Sequence, residues 1–150
     1  MAMQRATIGA LIAVLIASIA VSAMGALVFN RTVPSTGNVS IIGSLGAYSD
    51  SGCQTPLTSV NWGAMLPGGT ATQTVYIKNL GNINAALSLS TAGWNSTTAS
   101  SYLTLSWNLT SNYLLQASKV VHAVLTLAAS SSAASNMSFS FNVVITGTQS

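Results

Sequence analysis

The chain has 150 residues and only five charged ones, Arg5, Arg31, Lys78, Lys119 and the single acid Asp50, or 3% of the sequence against roughly 25% in an ordinary soluble domain. With no Glu, one Asp, one His and one Cys, it lacks the paired carboxylates of acid–base catalysis, the oxygen cluster of a calcium or magnesium site and the ligands of a tetrahedral zinc site. Neither a cofactor nor an enzymatic activity is expected, and the scattered cations make no patch for nucleic acid.

Ser, Thr and Asn fill the place of charge, with 23, 16 and 11 residues, a third of the chain. A neutral polar surface barely titrates, and it lacks the like-charge repulsion that keeps copies apart. Self-association is the natural consequence.

Ala6 to Phe29 is an uncharged apolar stretch behind a short head with one basic residue, Arg5. As a helix it would be about 36 Å long, enough to cross a bilayer. Three readings compete. One is a secretory signal with small residues before the cut, at Val21-Ser22-Ala23 or Ala23-Met24-Gly25. The second is a prepilin-type signal, cut after Arg5-Ala6 and leaving the helix in a filament core. The third is a plain membrane anchor. All three place the rest of the chain outside the cell, with membrane contact only during export in the first. The expected division is 1–25 as signal or apolar export helix, 26–36 as an N-terminal strand segment and 37–150 as one domain.

The segment Ala26 to Thr36 is apolar and β-prone: Leu27, Phe29 and Val33 recur at even spacing around Arg31, with Val28, Asn30 and Thr32 on the other face. It lies upstream of the first strand of the domain and has no evident partner there. Added as a strand to a second copy it would be satisfied, and repeated head to tail such a contact makes a filament. The alternative is an unstructured stalk.

Beyond Phe29 short alternating runs between turn signals predict an all-β fold, a two-sheet sandwich of about seven strands with no helix. The expected strands are Asn38 to Leu45, Ser59 to Trp62, Thr70 to Asn79, Asn84 to Thr91, Tyr102 to Asn108, Val120 to Ala128 and Met137 to Thr146. Alternation points Val75, Ile77, Leu87, Leu89, Leu103, Leu105, Trp107, Leu125, Leu127, Phe139, Phe141, Val143 and Ile145 inward. The serine-rich run Ser130 to Ser135 reads as a loop between the last two strands.

Isolated chemistry-bearing residues have simple explanations. His122 has no acid or Cys partner and reads as a structural strand residue. Asp50, in Tyr48-Ser49-Asp50-Ser51-Gly52, reads as a turn former. Cys53 reads as a small buried hydrophobe, with an intermolecular bridge as the other option. Trp62, Trp94 and Trp107 read as packing residues rather than a sugar platform. Five sequons, at Asn30, Asn38, Asn95, Asn108 and Asn136, are candidate N-glycosylation sites in an exported chain.

In order along the chain, Thr36-Gly37-Asn38-Val39, Ala47-Tyr48-Ser49-Asp50-Ser51-Gly52-Cys53, Val60-Asn61-Trp62-Gly63 with Leu66-Pro67-Gly68, Val75 to Asn82, Leu103 to Asn108 and Phe139-Ser140-Phe141 together resemble the archaeal bundling pilins. More distantly they resemble the TasA-like fibre proteins of bacterial biofilm matrix. The resemblance covers Thr36 to Thr146 and implies a jelly-roll-like sandwich that polymerises by donor-strand complementation. It assigns the donor role to Ala26, Leu27, Val28, Phe29, Asn30, Arg31, Thr32 and Val33, and implies lateral bundling of a secreted homopolymer. The bacterial relatives are richer in charge, so ionic or metal-linked contacts do not carry over. An archaeal type IV pilin that keeps its helix and a membrane-tethered binding domain remain as rivals.

Overall fold

The protein is described by a computed structural model over residues 35–135 and 137–150. The expected signal at 1–25, the donor residues Ala26 to Val33 with Asn30, and the sequon Asn136 lie outside the described residues.

Two sheets form a sandwich. Their strands in chain order are β1 (Thr36–Ile42), β2 (Leu45–Tyr48), β3 (Ser59–Asn61), β4 (Thr70–Asn79), β5 (Ala85–Ala92), β6 (Leu103–Trp107), β7 (Tyr113–Leu115), β8 (Val120–Ala129) and β9 (Ser140–Gln149), with a short helix α1 (Thr97–Tyr102) between β5 and β6. One sheet is five-stranded, in the order β3-β1-β9-β5-β7, and the other four-stranded, in the order β2-β4-β8-β6.

The core follows from alternation. Val75 and Ile77 of β4, Leu87 of β5, Leu125 and Leu127 of β8, and Val143 and Ile145 of β9 are fully buried, as side chains of one parity on paired strands must be when their sheet has one dry face. At one end an aromatic group fills the space between the sheets: Phe141 stacks on Trp94 at 4.2 Å and on Trp62 at 6.1 Å.

Three features depart from the expected pattern. The run Asn38 to Leu45 is not one strand. It breaks at Gly43, where φ is +96°, and the chain passes from the five-stranded sheet into the four-stranded one. Only glycine adopts that backbone without strain. The segment Tyr113–Leu115 is an additional strand, three residues long and paired to Ala85–Leu87. Residues Thr97–Tyr102 form a helical turn whose N-cap Ser96 accepts from the Ala99 N–H at 3.2 Å. So short an element shows no periodicity, and its signature is the cap alone.

β1 and β9 pair in parallel, from Thr36 opposite Ser140 to Ile42 opposite Thr146. The registers define two ends. Ser35 lies at the end that carries Trp62, whose backbone N–H donates to the Ser35 carbonyl, and the turn after β8. At the opposite end buried Asn79 ties the sheets together: its Nδ2 donates to the carbonyls of Ile83 at 2.8 Å and Leu115 at 3.1 Å, and its Oδ1 accepts from the Gly81 N–H at 2.9 Å.

Candidate subunit-acceptor groove

A sandwich has two lateral sides where strand edges are exposed, and here the two sides differ. On one, the stretch from Ser49 to Thr58 stitches the sheets together. Leu57 donates its N–H to the Ala47 carbonyl of β2, and Val39 of β1 donates to the Thr58 carbonyl, both at 2.9 Å. Asp50 holds this stretch in shape, its carboxylate accepting from the backbone N–H groups of Thr55 at 2.7 Å and Gln54 at 3.1 Å. Those bonds hold the carboxyl below its ordinary range.

The other side is open among the described residues. β7 covers β5 only from Ala85 to Leu87, so Ser88 to Ala92 have no strand neighbour on that edge among the described residues. Across from it β6 is the terminal strand of its sheet. Between these edges is a groove of about 360 Å³, lined by Leu87 and Leu89 of β5, Leu105 and Trp107 of β6 and Leu109 just beyond, with Ser88, Ser106, Ser111 and Asn112 giving it a polar rim. Leu87 belongs to the core, whereas Leu89, Leu105, Trp107 and Leu109 pack against the core while only half-buried. Alternation along β6 sends Leu105 and Trp107 inward, as expected. Among the described residues the facing sheet has no strand long enough to cover them.

Among the described residues, two strand edges without a further strand neighbour flank this groove, whose floor is apolar and whose rim is polar, an arrangement of the kind to which an extended segment can add. Residue order alone does not reveal it. Leu89, Leu105 and Trp107 read as ordinary core, and the only sign that their cover is incomplete is the brevity of the apolar run at Tyr113–Leu115.

The remaining candidates are dispersed. His122 is exposed on the outer face of β8, its ring 5.3 Å from that of Tyr76. Cys53 is not the buried hydrophobe expected. It is half-exposed in a turn with φ of +52°, because the chain there folds back around the Asp50 carboxylate. Trp62 is buried at 4% exposure and Trp94 packs on Phe141, so only Trp107 of the three tryptophans borders the groove.

Three sequon asparagines are described, all exposed: Asn38 on the outer face of β1, Asn95 after β5 and Asn108 after β6. Asn95 accepts the Ser140 N–H, and Asn108 the Val124 N–H, each through Oδ1 at 2.8 Å. In both, the amide nitrogen that would carry a sugar makes no hydrogen bond to the described residues.

No protein-family model matches the chain, and no curated protein matches it in sequence.

Proposed function

We propose that this chain is the structural subunit of an extracellular filament, a secreted homopolymer built head to tail by strand donation. In this reading the segment Ala26 to Val33 of one copy lies in the groove between β5 and β6 of the next. The observation that carries it is the side of the sandwich where, among the described residues, two strand edges without a further strand neighbour flank a half-covered trough of Leu87, Leu89, Leu105, Trp107 and Leu109 with a polar rim. The donor sequence suits that trough, since Leu27, Phe29 and Val33 share one parity. Each such side chain contributes about 2 kcal/mol when it leaves water. Backbone pairing supplies affinity along both edges.

The free stretch of β5, Ser88 to Ala92, runs from the middle of the sandwich toward the end at which the described chain begins, Ala92 lying opposite Asn142 and Thr36 opposite Ser140. Strand donation from one copy to the next is a heterologous contact, which builds an open polymer when its rotation does not close. The resemblance to the bundling pilins points the same way, with the sandwich read as jelly-roll-like and the first 25 residues as a signal removed on export.

The described residues belong to one compact unit, so a chain lacking residues 1–33 should fold and stay monomeric. A peptide of residues 26–36 should bind it and shift the emission of Trp107 to shorter wavelength. Polymerisation of the truncated chain, or a peptide that fails to bind, would overturn strand donation. N-terminal sequencing of isolated filaments separates the chief rival, because a start at Thr7 would identify a retained pilin helix.

A further inference from the structure

Six large aliphatic side chains stand exposed among the described residues, and five of them gather at the end of the sandwich that carries Asn79. Leu80 and Ile83 lie on the turn between β4 and β5. Leu114 of β7 and Val120 at the start of β8 line one depression of about 280 Å³. Asn79 joins these elements: its backbone N–H donates to the Lys119 carbonyl, and its amide reaches the carbonyls of Ile83 and Leu115. Ile42 stands one row further back on the outer face, because its row crosses Thr146 and Ser88 whereas that of Leu114 crosses Ala86 and Thr148. The sixth, Leu66, lies at the opposite end, beside the Gly68 N–H that donates to the Ser130 carbonyl after β8.

The same end collects the positive charge. Lys78 lies opposite Val120 in the pairing of β4 with β8, and Lys119 directly precedes Val120. These two are the only lysine or arginine side chains among the described residues. Asp50, the one acidic side chain, follows β2, which starts opposite Asn79 and runs away from it.

We infer that this end is a docking surface for an anionic lipid bilayer. A cluster of exposed apolar side chains marks an interaction site, and its chemistry narrows the partner. The exposed anchors are all aliphatic, whereas protein interfaces are anchored mainly by Trp, Tyr and Arg. They lie on a turn and near strand ends, so they enter the boundary between headgroups and acyl chains without needing a matching cavity. The lysines beside them rest their alkyl stems on apolar surface and hold their ammonium groups among anionic headgroups. Pairing of two copies through this end would instead bring lysines toward lysines. The inference does not rest on the filament reading.

The test uses the full chain with Cys53→Ser, so that one introduced thiol carries an environment-sensitive fluorophore, at Leu80→Cys or at Leu66→Cys. The two positions are equally exposed, at 56%, and lie at opposite ends. With vesicles of phosphatidylcholine and phosphatidylglycerol, emission from the label at 80 should move to shorter wavelength and that from the label at 66 should not. Ile83→Ser combined with Val120→Ser should raise the lipid concentration needed for half of the shift by about tenfold, and Lys119→Gln by about fivefold. A label at 80 that stays in water would overturn the inference, even with the chain held on the vesicle by the apolar stretch before Ser35. Equal shifts at 80 and 66, or a shift as large on phosphatidylcholine alone, would overturn it too. A shift at 80 without vesicles would assign this end to a second copy instead.

Discussion

Gly43 and Gly147 meet where the chain leaves the five-stranded sheet: a Cβ built on Gly43 would lie 2.5 Å from the Gly147 carbonyl oxygen. The backbone there has φ of +96°, so Gly43→Ala meets both a steric clash and a disfavoured conformation. The strain alone costs about 1–3 kcal/mol, and thermal unfolding should move down by at least several degrees. Gly63 also has a positive φ, +68°, but open space around its Cβ position. Gly63→Ala should therefore cost less, and calorimetry on the two variants checks the order.

Asn79 is the polar counterpart of that corner. It is 1% exposed, and both ends of its amide are used. Asn79→Leu would strand the carbonyls of Ile83 and Leu115 and the N–H of Gly81 without partners, at about 1–3 kcal/mol for each group that water does not reach. Chemical denaturation should show a loss of several kcal/mol. Because the amide ties the β4–β5 turn to β7, hydrogen exchange at Leu115 and its neighbours should speed up more than at the β4–β8 pairing.

Those two residues also mark how far the primary structure is legible. Period-two alternation identifies the buried rows of β4, β8 and β9 because each strand faces one dry interior, and Val75, Leu125 and Val143 lie where parity puts them. Alternation is silent about which sheet a strand joins. Thus Asn38 to Leu45 reads as continuous although Gly43 divides it between two sheets. The same limit hides the groove. Leu105 and Trp107 have the parity of core residues, and their partial exposure is decided by the short reach of β7, a long-range pairing that leaves no periodic trace.

Acid should weaken the fold through Asp50 alone among the described carboxyl side chains. Its pKa is lowered in the folded state from an ordinary value of 3.8 by the backbone N–H groups of Thr55 and Gln54. A depressed carboxyl stabilises the fold above its unfolded pKa, and that contribution is lost as pH falls through the folded value. Thermal stability should decline below about pH 4, and the Asp50→Asn variant should lose most of this dependence. The two chains should therefore converge in stability at strongly acidic pH, which melting curves at stepped pH will reveal.

The groove makes the most discriminating prediction, because stability and assembly should separate there. Leu87 is fully buried and Leu105 half-buried, although both line the trough. Leu87→Ala removes packing that the isolated subunit needs and should cost about 2–5 kcal/mol. Leu105→Ser removes surface that the subunit alone covers only in part, so its unfolding free energy should fall by about 1 kcal/mol. Assembly should respond differently. A polar side chain in the trough takes contact area from the donor of the next copy and leaves a hydroxyl to be desolvated, so filament formation should be lost in Leu105→Ser while the subunit remains folded. Pelleting assays set beside denaturation curves read both quantities on the same samples. If Leu105→Ser polymerises like the unsubstituted chain, the open side between β5 and β6 is not the acceptor.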